Sequence, residues 1–118
     1  MATFRLSALA RADVSAIATT SGERWGAEAS RRYLRLIAEA LWRIADDPHG
    51  LGTRDRADVL AGIRSLALRQ LREVAGRLKV KRPVHVLYYR VARDAVVEVV
   101  RVMHERMDPG RHLDVDDG

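Results

Sequence analysis

The run Ala95–Met103 (AVVEVVRVM) limits the fold of this chain more than any other segment. Read as a strand, it puts Val97, Val99, Arg101 and Met103 on one face and Val96, Glu98, Val100 and Val102 on the other. Both faces are largely apolar, so the strand belongs in the middle of a sheet. Arg101 then falls toward the end of the first face, near where the strand runs out.

Candidates for that sheet lie upstream. Val84–Val91 (VHVLYYRV) is β-branched and aromatic, and Val91–Ala95 is of hairpin length. Ile63–Leu68 (IRSLAL) is a further strand, and residues 3–7 (TFRLS) alternate Phe4 and Leu6 with polar neighbours. Tyr88 and Tyr89 point to opposite faces, one toward the core and one toward the sheet surface.

Helices supply the covering layer. Ser7 is placed to cap a helix over about 8–21, with Gly22 as its stop. A second helix over about 24–46 carries Leu34, Ile37, Leu41 and Ile44 at helical spacing, widened by Ala38 and Ala45. Glu28 and Arg32, Arg35 and Glu39, and Glu39 and Arg43 are opposite charges four residues apart on its solvent side. Pro48 and Gly50 end it, and residues 48–62 read as loop. The order is β-α-α-β-β-β. This is an α+β domain, a helical hairpin packed on one face of a small, mainly antiparallel sheet.

At 118 residues the chain is of single-domain size. The domain is expected over 1–110. The polar stretch from Asp108 closes in an acidic tail, 111–118, with Asp114, Asp116 and Asp117. There is no cysteine, which excludes a disulfide framework, a thiolate metal site and a cysteine nucleophile. Arg5, Arg11 and Asp13 interrupt the opening residues, so no signal peptide or membrane span is expected there, and the chain reads as cytoplasmic. His49, His85, His104 and His112 show no paired metal-ligand spacing, and there is no glycine-rich phosphate loop or GxSxG. No metal or cofactor is expected.

The formal net charge is +5, and its location matters more than its size. Residues 69–82 (RQLREVAGRLKVKR) hold six basic groups and one acid, so the remainder sums to zero. Leu71, Val74, Ala75 and Leu78 allow a short helix there, and Lys81-Arg82-Pro83 reads as extended. The stretch has three readings: a solvated loop, a dock for an acidic protein segment, or a contact to a nucleic-acid backbone. Few aromatics interleave it, which disfavours base stacking. Arg64, Arg90 and Arg101 all lie on strands; on an open sheet face they could bind phosphate, or they could pair with Glu98. His104 follows the apolar strand directly. It is either a general acid or base beside Arg101 and Arg106, or a strand-end histidine bonded to a neighbouring carbonyl. Trp25 and Trp42 are expected to pack in the hairpin; if exposed, they mark an interface.

The order of these features resembles the ParE branch of the RelE/ParE toxin superfamily. The resemblance rests on Leu6-Ser7 with Ala10-x-x-Asp13-Val14-x-x-Ile17, then Trp25-Gly26-x-x-Ala29-x-x-Tyr33 and Asp47-Pro48-x-Gly50. It continues through Gly62-Ile63-Arg64-Ser65, Val86–Val91, and Val99–His104 with Met107-Asp108, to Arg111-His112-Leu113. The resemblance implies a toxin of a type II toxin–antitoxin module, of the plasmid-stabilisation kind, that inhibits DNA gyrase without being an enzyme. It implies neutralisation by a ParD-like antitoxin through an acidic, amphipathic C-terminal segment, in a higher-order hetero-oligomer. Trp25, Trp42, Arg69, Arg72, Arg77 and Lys79 are the candidate antitoxin contacts. The RelE branch implies the alternative, ribosome-dependent mRNA cleavage. His104, Arg101, Arg90 and Arg64 stand at or near the positions that branch uses, but no tyrosine follows His104. A third reading is an inactive toxin kept as an antitoxin-binding module.

Overall fold

In the computed structural model, which describes residues 3–113, five strands form one sheet in the order β1-β5-β4-β3-β2. The strands are β1 (Phe4–Leu6), β2 (Thr53–Asp55), β3 (Arg64–Ala67), β4 (His85–Val91) and β5 (Val97–His104). β5 lies between β1, which runs parallel to it, and β4, which runs antiparallel. The strand with two apolar faces therefore has neighbours on both edges, as its pattern requires.

Helices α1 (Ala8–Trp25) and α2 (Ala27–Asp46) form the hairpin. Ser7 caps α1, its Oγ accepting from the Ala10 N–H at 3.0 Å. Gly22 does not stop α1. The stop is Gly26, one turn later, at φ 94° and ψ 165°, a conformation open essentially to glycine alone. Gly26 also begins α2, so Trp25 closes the first helix and does not belong to the second. Near this bend Ser21 Oγ and Ser30 Oγ lie 2.8 Å apart, and each also reaches an α1 carbonyl. The two serine hydroxyls are thus satisfied although both side chains are buried beneath the bend.

The hairpin covers one face of the sheet. Ile17, Leu36, Ile37, Ala40 and Ile44 pack on Leu66, Leu87, Tyr89, Val97, Val99 and Val102. The opposite face is not open. Ile63, Val86, Tyr88, Met103 and Leu113 form a second core there, with Val59, Leu60, Val100 and Met107 against it. Both tyrosines are consequently buried, and neither is a surface group.

Strict alternation fails in β5. Tyr88 pairs with Arg101 and Tyr89 with Val99, so Val100 is an extra residue opposite no partner. The bulge moves Val102 to the hairpin side with Val97 and Val99, and Met103 to the other core. It lies where β1 has ended and the start of α1 takes over the edge. Ser7 Oγ donates to Val100 O at 2.8 Å, and Asp13 accepts from the Val102 N–H at 2.9 Å.

Residues 48–62 include the short edge strand β2, whose sequence Thr-Arg-Asp carries no apolar signal. The basic connector folds as a 3-10 turn (Leu68–Gln70) and helix α3 (Arg72–Arg77). Within the expected polar tail, Asp108 caps a one-turn helix α4 (Pro109–His112), and Leu113 is buried. The acids Asp114, Asp116 and Asp117 lie outside the described residues.

Candidate functional site

A groove of about 830 Å³ opens where the hairpin meets the connector and the ends of β4 and β5. Its apolar lining comes from Ile17, Tyr33, Val80, Val84, Val102 and Met103. Its exposed lining is cationic: Arg24 from α1 and Lys79, Lys81 and Arg82 from the connector, with partly buried Arg32 from α2. Trp25 completes it and is 64% exposed. Arg24 lies over the Trp25 ring at 5.2 Å, and Arg32 reaches Glu28 at 3.4 Å. Lys79, Lys81 and Arg82 form no ion pair among the described residues.

The connector is aimed by its backbone. At the end of α3 the Val80 N–H bonds Ala75 O (2.9 Å) and the Lys79 N–H bonds Gly76 O (3.2 Å), with Lys79 left-handed at φ 59°. This is a Schellman cap with lysine where glycine is usual. It turns the chain so that residues 79–82 run along the groove.

The strand arginines are not free phosphate ligands. Arg101 makes a two-pronged pair with Asp13 at 2.7 and 2.9 Å and donates to His112 O at 3.1 Å. Asp13 holds the Arg101 guanidinium above its usual pKa. Arg90 pairs with Glu98 at 2.6 Å. Arg64 donates to Pro48 O and Thr53 Oγ1. Beside it, Tyr89 Oη donates to Pro48 O at 2.6 Å, and burial raises its pKa. Arg64 and Arg90 lie outside the groove lining.

His104 ends β5 facing His85, with ring centroids 5.7 Å apart. Its Nδ1 accepts from the Arg106 N–H at 3.1 Å, so the ring is bonded to a backbone donor and not to a carbonyl. His85 Nδ1 lies 2.6 Å from Tyr33 Oη. Burial foremost, then the neighbouring His104, lowers the His85 pKa to about 4.

Of the candidate antitoxin contacts, Trp25 and Lys79 line the groove. Arg69, Arg72, Arg77 and Trp42 lie outside its lining; Arg69 pairs with Glu105 at 3.0 Å. Trp42 is 56% exposed and meets Phe4 edge to face at 4.9 Å, so neither tryptophan packs inside the hairpin. Sequence reasoning missed Tyr33, His85, Arg24 and Arg32 as groove residues. Their signal was faint, since Arg24, Arg32 and Tyr33 sit on the helical hairpin and His85 lies more than fifty residues further on, at the start of β4. Among the described residues no group of three acids or histidines could hold a metal ion, and no helix is long and apolar enough to cross a membrane.

Fold and groove together define a class: small α+β domains with a helical hairpin over a mixed sheet and a cationic groove at their junction. The chain belongs to the family of ParE toxins of type II toxin–antitoxin systems, parDE, whose model matches residues 4–109. It is similar to Toxin ParE1 of Caulobacter vibrioides, 35% identical over 113 residues and covering 96% of this chain and 99% of that one. It is similar to Toxin ParE1 of Mycobacterium tuberculosis, 34% identical over 110 residues and covering 93% and 96%. A chain of the solved structure described as a chromosomal ParDE TA system from P. aeruginosa shares the fold, at TM-score 0.66 and 19% identity, covering 88% of this chain and 96% of that one.

Proposed function

We propose that this ParE-family toxin inhibits DNA gyrase without catalysing a reaction, and that an acidic, amphipathic segment of its cognate antitoxin neutralises it from the groove. The observation that carries the docking reading is the groove itself. An apolar lining takes the apolar face of such a segment, and Arg24, Lys79, Lys81 and Arg82 meet its acids. The gyrase target rests on family membership. Ribosome-dependent mRNA cleavage is the second reading; of the strand arginines it would use, Arg101, the one in the groove, is held by Asp13, which weighs against that role.

The test is kinetic. Reversing Lys81 and Arg82 to glutamate should slow association with the cognate antitoxin by about tenfold at low salt, with a smaller effect at high salt. Reversing Arg72 and Arg77, outside the lining, should change the rate by less than about twofold. Equal slowing by both pairs would remove the groove from the interface.

A further inference from the structure

His85 opens β4, His104 closes β5, and the register sets them directly opposite each other. Cross-strand partners share a face, which brings the two rings edge to face inside the groove. Each ring has its Nδ1 engaged. Tyr33 Oη accepts the Val84 N–H at 3.0 Å and bonds His85 Nδ1 at 2.6 Å, as donor to a neutral ring and as acceptor from a charged one. The Arg106 N–H occupies His104 Nδ1. On each ring Nε2 is the nitrogen left for an incoming group.

The surroundings oppose charge on the pair. From α1 come Asp13 and Arg24, from α2 Arg32 with its partner Glu28, and from the connector Lys79, Lys81 and Arg82. From the end of β5 come Arg101, Glu105 and Arg106. The acids nearest the rings are already taken, Asp13 by Arg101 and Glu105 by Arg69. His85 and His104 therefore lie among excess cations with no carboxylate partner among the described residues. Burial, and then the second ring, also disfavours a charged His85.

We infer that the His85–His104 pair is the carboxylate-reading position of the groove, which binds one side-chain carboxylate of the acidic partner at Nε2–H while His85 Nδ1 takes up a proton from solvent and donates it to Tyr33 Oη, which then accepts from both that ring and the Val84 N–H. This rests on the groove being the docking site of an acidic segment. A proton on His85 in the empty groove meets the cations and the second ring. A docked carboxylate offsets that repulsion, so the occupied toxin holds more protons than the free one. Affinity then rises as pH falls, by at most about one decade per pH unit for each proton gained.

The test is isothermal titration calorimetry of the whole chain at about pH 6 and about pH 8, in two buffers of different ionisation enthalpy. The probe is a synthetic amphipathic helical peptide with glutamate on its polar face and leucine on the other. We expect binding roughly tenfold tighter at the lower pH, with net proton uptake. His85→Asn should reduce that ratio to below about twofold while the affinity at the higher pH persists. Tyr33→Phe, which removes the oxygen that accepts from the charged ring, should lower the ratio as well and serves if His85→Asn folds poorly. An undiminished ratio in His85→Asn, or no proton uptake by the parent chain, overturns the inference. Binding at both pH values without a slope removes the histidines and leaves the docking reading standing. Absence of binding at either pH overturns both.

Discussion

Three donors converge on the Asp13 carboxylate: Arg101 Nε, Arg101 Nη2 and the Val102 N–H. Its side chain is 15% exposed, so little water replaces it if the partner is lost. Removing one member of such a pair leaves a charge and a backbone donor unmet. Asp13→Ala should cost about 2–3 kcal/mol of unfolding free energy by urea titration. A loss below about 0.5 kcal/mol would show that the pair is solvated like an exposed one. Arg101 was legible in the sequence as a strand-borne cation, but its partner was not. The two are 88 residues apart, and no local pattern records so distant a contact. Arg90 is held by Glu98, the partner the sequence offers as the alternative to phosphate, and Arg64 by Thr53 on the neighbouring edge strand, which the sequence does not announce.

The end of α3 separates fold from function most cleanly. Lys79 occupies the left-handed position of the cap, where a β-carbon costs roughly 1 kcal/mol relative to glycine. Lys79→Gly should therefore match or exceed the parent in thermal stability while it weakens association with the acidic partner. Lower stability would mean that the lysine side chain contributes packing that its exposed position does not suggest. Elements with strong periodicity were legible in the sequence: α2 by its apolar stripe, β4 and β5 by their β-branched runs. What was not legible were changes of phase. The bulge at Val100 reverses the facing of everything after it, and no residue type there announces it. The sequence points to Gly22 as the stop and puts Gly26 inside the second helix. The choice falls on Gly26, which holds a backbone conformation that other residues avoid, while Gly22 continues as ordinary helix. The edge strand β2 owes its place to pairing with β3, with Thr53 opposite Leu66, and not to its own composition.

For the molecule as a whole, the net charge of +5 resolves into two parts. Arg69, Arg72 and Arg77 lie outside the groove lining, whereas Lys79, Lys81 and Arg82 join Arg24 and Arg32 around an apolar lining. The fold converts a run of basic residues into a surface of defined shape, and the second core behind the sheet keeps β4 and β5 fixed beneath it. Groove and target are then separable in experiment: groove variants should escape neutralisation yet keep toxicity. The most direct test of the account is a supercoiling assay with purified toxin, gyrase, ATP and relaxed plasmid. The account predicts that the toxin blocks supercoiling and that linear, gyrase-cleaved DNA accumulates, both reversed by antitoxin. Supercoiling at the uninhibited rate with no cleaved DNA, under toxin in excess over gyrase, would contradict it.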